Sequence, residues 1–186
     1  MKIGEIPANA MIQIRVVRGI TKLYIDIMRG TPLMLQLMVV YYGPYFLWRA
    51  DIGGFRYPAI ILAFSINYAA YFAEIYRSGI ESMPKGQYEA AEVLGYTKAQ
   101  TFVFIILPQV IKRVLPSITN EMVTLVKDTS LAFSLAYMEM FTIAKQIAAK
   151  ETTFVPFAVA AIFYFIFNWL VSTGMTRLEE KLNYYR

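Results

Sequence analysis

The chain has 186 residues, of which 58% are hydrophobic and 17% charged, with a mean hydropathy of +0.46. Soluble domains average about 45–50% apolar and about 25% charged residues, so the balance excludes an ordinary water-soluble fold and points to an integral membrane protein. The net charge of +5 comes without a dense Lys/Arg run, which argues against nucleic acid, and the lack of Cys and His removes disulfides, thiolate or imidazole metal sites and imidazole catalysis.

In chain order, residues 8–29 place apolar positions at helical spacing with basic residues between them, which predicts an amphipathic surface helix. A bilayer span needs about 20 mostly apolar residues. Four stretches qualify, at 32–48, 57–76, 110–137 and 154–173. The first ends in Tyr45, Phe46 and Trp48, aromatics suited to an interfacial belt. The second carries Asn67 and Glu74, and the fourth is the most apolar. The third contains Lys112, Arg113, Pro116, Asn120, Glu121, Lys127 and Asp128. Each central charge costs about 2.5–3.5 kcal/mol in lipid, so this span must face protein or water, or be broken.

Basic residues set the orientation. Lys2, Arg15, Arg18, Lys22 and Arg29 precede the first span, and Arg77, Lys85, Lys98, Lys112 and Arg113 lie between the second and third. Arg177, Lys181 and Arg186 close the chain, whereas the other two loops carry only Arg49 with Arg56 and Lys145 with Lys150. The positive-inside rule puts both termini and the 77–107 loop in the cytoplasm.

That loop has its own design. Ser82-Met83-Pro84-Lys85-Gly86 is a Pro/Gly turn, and a short helix is expected from Gln87 to Leu94. In it Ala90 and Ala91 give a smooth surface flanked by Glu89 and Glu92. Gly95 stops this helix, and a second one is expected from Thr97 until Pro108. The product is a rigid knob able to enter a groove on a partner.

Glu89-Ala90-Ala91, Gly95 and Ile105-x-Leu107-Pro108 together resemble the EAA cytoplasmic loop of bacterial ABC-importer permeases. Arg29-Gly30-Thr31-Pro32-Leu33 with Gln36-Leu37 is similar to the signature of the polar-amino-acid members. So are Ala73 to Ile80 leading into Pro84-Lys85-Gly86-Gln87, and Asn120-Glu121 with Leu125 to Leu131. The resemblance implies an all-α type I importer bundle in the bacterial cytoplasmic (inner) membrane. It also implies partners: an ABC ATP-binding subunit that uses ATP and Mg, a second copy or a homologous permease, and an extracytoplasmic solute-binding protein. Lys85, Gly86, Glu89, Ala90, Ala91, Gly95, Leu107 and Pro108 would couple to the ATPase. Residues 1–31 would form an amphipathic cytoplasmic segment and 32–186 the transmembrane domain, with its coupling loop at about 77–107. The family pattern has five spans, and its apolar first span is missing here, which leaves a truncated, late-started or divergent chain as the expectation. Thr119 stands where the family usually has Gly before Asn-Glu.

An ionisable residue inside a membrane is a candidate functional group. Lys127 and Asp128 offer both signs beside the Thr129 and Ser130 hydroxyls, and a helix break there would add free backbone groups for an amino acid; Glu121 and Asn67 are further candidates. The alternative is that Lys127 and Asp128 pair with neighbouring helices and hold the bundle together. Glu74 and Arg77 fit a structural or gating pair. No phosphate-binding G-x-x-x-x-G-K-[ST] loop is present, so no cofactor is expected on this chain. A permease for another small solute, an intramembrane enzyme limited to Ser–Lys or paired-carboxylate chemistry, and a non-transport membrane scaffold are the competing readings.

Overall fold

The computed structural model describes the backbone of residues 8–182 and the side chains of residues 16–182. Lys2, the Arg15 side chain and Arg186, which entered the charge count, lie outside the described residues. The described residues form helices without a strand: α1 (Ala8–Gly30), α2 (Leu33–Trp48), α3 (Arg56–Glu81), α4 (Lys85–Val93), the single turn α5 (Lys98–Gln100), α6 (Leu107–Asp128), α7 (Met140–Glu151) and α8 (Val155–Leu182). Three helical runs, Arg56–Glu81, Lys98–Leu135 and Val155–Leu182, are long and apolar enough to cross a bilayer. A fourth forms if α1 and α2 count as one span, bent by 111°.

The bend follows from Gly30-Thr31-Pro32. Pro32 has no N–H and disfavours helical backbone at Thr31; it is itself extended, at φ −62 and ψ 131. The carbonyls freed at the end of α1 find side-chain donors instead. The Thr31 hydroxyl donates to Ile27 O (2.8 Å), and Gln36 Nε2 donates to Met28 O (2.9 Å) and Thr31 O (3.1 Å). Asn67 of α3 completes the closure, donating to Met28 O (3.2 Å) and to Gln36 Oε1 (2.9 Å). Inside a membrane such groups have no water to turn to.

α3 is the hub, with α1 and α2 on one side and α6 on the other. Ala59, Ile60 and Ala63 of α3 bury with Leu37 and Tyr41 of α2 and with Ala132 and Leu135. The small residues let the helix axes approach closely. Toward the other end, Met83, Ile106, Val110 and Val114 form a second cluster. There the backbone of Gly79 lies so close to α6 that a Cβ would sit 2.3 Å from Val114 Cγ1.

Pro108 does not stop a helix, contrary to the expectation from sequence. The run continues through a widened π turn at Thr101–Ile106 directly into α6. The wider turn relieves the clash that a proline ring makes with the preceding turn, and Gln109 Nε2 donates to Ile105 O (2.8 Å). Past Asp128 the helix tightens to 3₁₀ geometry at Thr129–Leu135 and ends at Ala136, in left-handed conformation (φ 52).

α7 fills a stretch in which the sequence suggested only a loop. Its N-terminus is capped by the Glu139 carboxylate, which accepts from Phe141 N (2.6 Å) and Thr142 N (2.5 Å), and it packs along α8.

Candidate functional site

The knob is built from turn chemistry. α4 starts at Lys85, two residues ahead of the expected Gln87, directly behind the extended Pro84 (φ −59, ψ 135). It ends in a Schellman motif, with the Tyr96 N–H on Ala91 O and the Gly95 N–H on Glu92 O, both at 3.0 Å. This requires a positive φ at Gly95, observed at +78. Thr97 then opens the next helix with a capping box: its hydroxyl accepts from Gln100 N (3.3 Å) and its own N–H donates to Gln100 Oε1 (2.9 Å).

Of the residues expected to couple, Ala91 is buried and Leu107 half-buried, while Lys85, Gly86, Glu89, Ala90, Gly95 and Pro108 are exposed. Ala91 therefore anchors α4, and Glu89 and Ala90 face outward. Two further ties hold the knob to the spans: Gln109 Nε2 donates to Gln87 Oε1 (3.3 Å), and Arg113 donates to Ser82 O (2.6 Å). Sequence reasoning missed the tip. Val93 is 89% exposed and Leu94 73% exposed, and their apolarity just before Gly95 in an otherwise polar loop was the available signal.

The polar residues of the spans do not converge on one point. Asn67 turns toward α1 and α2, where its amide closes the bend. Its neighbour Tyr68 faces the other way and donates its hydroxyl to Asp128 Oδ2 (2.9 Å). Glu121 lies two helical turns before Asp128 on the same side of α6. Leu125 sits between them and lines, with Phe64, Ser65, Tyr68 and Phe72 of α3, a recess of about 380 Å³. Lys127 is exposed and projects from a different side of the helix. The Thr129 and Ser130 hydroxyls donate to Val126 O (2.7 Å) and Lys127 O (2.8 Å), which closes the 3₁₀ turn. No ion pair joins Lys127 and Asp128 among the described residues.

Tyr68 was not singled out from sequence. It belongs to a ladder of aromatics four residues apart on α3, where Phe64 stacks on Tyr68 and Phe72 on Tyr76. That spacing was visible, but the hydroxyl's partner was not. Glu74 pairs with Arg77 (2.5 Å) and with Arg29 (3.6 Å), and Arg77 also reaches Glu81 (2.5 Å). Arg29 lies over the Tyr71 ring as well. Thr119 is buried, and its hydroxyl proton is shared between Glu179 of α8 (2.8 Å) and Leu115 O (3.0 Å). The recess thus offers a phenol, a serine and aromatic faces, with the Asp128 carboxylate joined to it through the Tyr68 hydroxyl. These recognise a cation or a hydrogen-bond donor, and no cluster able to hold a metal ion occurs among the described residues.

Residues 4–184 match the family described as binding-protein-dependent transport system inner membrane component. The chain is similar to the L-cystine transport system permease protein TcyB of Bacillus subtilis (strain 168), 36% identical over 94% of this chain and 74% of that protein. It is also similar to the octopine transport system permease protein OccM of Rhizobium radiobacter, 38% identical over 87% and 69%. Among solved structures, an amino acid ABC transporter with histidines superposes with a TM-score of 0.81 at 31% identity, over 90% of this chain and 78% of that one. The MetNI methionine ABC transporter in an inward-facing conformation shares the fold, with a TM-score of 0.73 at 20% identity over 97% and 80%.

Proposed function

The chain belongs to the inner membrane components of binding-protein-dependent transport systems, and from that premise we propose that it forms the translocation pathway of an importer for a polar amino acid. It is the membrane-spanning permease of an ABC importer, with the type I importer fold. The observation that carries the coupling mechanism is α4, a short helix fixed by a Schellman motif, with Val93 and Leu94 exposed at its tip. A rigid apolar-tipped projection transmits force to whatever encloses it, and an ATP-binding subunit is the occupant we assign. Lys85, Gly86, Glu89, Ala90, Gly95 and Pro108 surround that contact, with Ala91 and Leu107 securing it from below. ATP and Mg are used by that subunit, and this chain performs no catalysis. A second copy or a homologous permease completes the pore in the bacterial inner membrane, and an extracytoplasmic binding protein delivers the solute.

The amino-acid class rests on the relatives, whose names specify cystine, octopine and amino acids. The groups beside the recess suit it chemically: Asp128 and Tyr68, with Glu121 on the same side of α6, would receive the ammonium group, with Lys127, Thr129 and Ser130 on the same stretch of chain. Asn67 has its amide committed to the α1–α2 bend and supports the pathway from behind.

The test is coexpression with an ATP-binding subunit and reconstitution with binding protein and labelled amino acids. Copurification, stimulated ATP hydrolysis and uptake are expected. Tyr68→Phe should leave stimulation intact while raising the amino-acid concentration needed for half-maximal uptake. Copurification without uptake of any amino acid would remove the solute assignment, and failure to bind an ATP-binding subunit would remove the coupling assignment.

A further inference from the structure

α4 and the helical run that follows it line a slot of about 390 Å³. Tyr88 and Glu92, one turn apart on α4, supply one side of it. Past the reversal at Gly95, Tyr96, Lys98, Thr101 and Phe102 complete the lining. Thr101 is buried and donates its hydroxyl to Thr97 O (3.0 Å), so it has no proton left for a ligand. Tyr88, Tyr96 and Phe102 are between 37% and 42% exposed, and each ring keeps surface to offer. The Glu92 carboxylate is exposed, accepts no hydrogen bond and forms no ion pair among the described residues. Lys98 is exposed as well and lies beyond ion-pair distance of Glu92. Elsewhere in the knob polar side chains are committed: Gln109 to Gln87, Arg113 to Ser82 O and Thr97 to Gln100. The slot is where aromatic faces and an unpaired carboxylate stand together unused.

We propose that this slot receives an arginine side chain of the ATP-binding subunit, its guanidinium stacked on the rings and donating to the Glu92 carboxylate. A guanidinium suits such a site because it has an apolar stem, planar faces that stack on aromatic rings and a fork of N–H groups that matches a carboxylate. A lysine ammonium is a compact charge that holds its water more firmly. The inference rests on the assignment of α4 to that subunit, since the slot opens on the same short helix whose tip exposes Val93 and Leu94. One partner surface then covers both, with apolar contact at the tip and a charged contact on its flank. Lys98 repels the incoming cation while Glu92 attracts it. The two charges of the slot therefore act on this occupant in opposite directions, which separates it from any other.

The experiment uses the intact chain with its paired permease in nanodiscs, titrated with the purified ATP-binding subunit. Glu92→Gln should weaken binding about fivefold, and Lys98→Gln should tighten it about twofold. Both shifts should shrink at high salt. Unchanged binding in Glu92→Gln overturns the proposal, because an apolar or aromatic occupant ignores the charge. Shifts of the opposite sign overturn it too, by marking an acidic occupant. A second measurement leaves both charges in place. A photoreactive benzoylphenylalanine introduced at Tyr96 is crosslinked to the bound subunit, and mass spectrometry should map the crosslink beside an arginine. Changing that arginine to glutamine together with Glu92→Gln should cost little more than either change alone. A crosslink with no arginine beside it, or fully additive losses, overturns the proposal. Failure of the unaltered chain to bind the subunit removes the coupling assignment itself, a different result from binding that ignores Glu92.

Discussion

α3 and α8 are both long, apolar and sufficient to cross a bilayer, yet they are used in opposite ways. The most apolar stretch of α3 has a mean hydropathy of 1.4 and is 33% buried; that of α8 has a mean hydropathy of 1.9 and is 6% buried. The more apolar helix is the less covered one. In lipid there is no hydrophobic gain from hiding apolar surface in protein, so helices are drawn together by close backbone approach and polar contacts. α3 has both, in Ala59, Ala63, Ala70 and Gly79 and in Asn67 and Tyr68, whereas α8 buries Ala160 alone. Burial in this protein follows small and polar residues rather than hydropathy.

The contrast can be broken by substitution. The largest loss is expected for Gly79→Val, since even a Cβ would collide with Val114; overpacking of about 3 kcal/mol should appear as loss of the monodisperse peak in detergent gel filtration. If the protein stays monodisperse and as heat-stable as wild type, the α3–α6 contact is not what joins the inner half. Asn67→Leu comes next. It removes the donor to Gln36 Oε1 and one donor to Met28 O, for a loss of about 2 kcal/mol in thermal denaturation. Gln36→Leu in the same background should add less than its own separate effect, because the two side chains share one network.

Gly95→Ala sharpens the comparison outside the membrane. A side chain in left-handed backbone costs about 1–2 kcal/mol, felt locally in α4, so global stability should fall slightly while binding-protein-stimulated ATP hydrolysis falls severalfold. Equal stimulation in the variant would show that the α4 exit geometry does not transmit force. The smallest effect is expected for Phe165→Ala, at a position 72% exposed on α8. The change should stay within about 0.5 kcal/mol for the solubilised single chain. A loss above that in the assembled importer alone would identify this side of α8 as covered by another subunit.

Much of the architecture is legible in the sequence because long apolar runs and turn residues act locally. The spans at 57–76 and 154–173 and the stop at Gly95 each depend on a few neighbouring residues, whereas the stretch at 32–48 reaches spanning length only together with α1. What depends on which face of a helix meets which neighbour is not legible. Asn67 and Tyr68 are adjacent in sequence and about 100° apart around α3, so one closes a bend while the other reaches Asp128. The six polar candidates looked like one site and are divided by that rotation. α7 escaped because 12 residues are too short for a span, and its start is marked by Glu139, a less common cap than Ser, Thr, Asp or Asn. Pro108 misled because a proline ends an α-helix but is tolerated beside a π turn, whose presence only the fold reveals.

The unbroken run from Lys98 to Leu135 has a mechanical consequence. Val114 lies against Gly79 with no room for a side chain between them, which makes that point a natural fulcrum. The arm toward the cytoplasm is about 24 Å long and the arm toward Leu135 about 35 Å, taking the α and 3₁₀ rises. A sideways push at the inner end is therefore reversed at the outer end and magnified by about half. Asp128 lies on the long arm. As a stiff lever, the run would swing this carboxylate opposite to the push applied at α4, and a softer joint at Pro116, two residues past the fulcrum, would shorten that stroke.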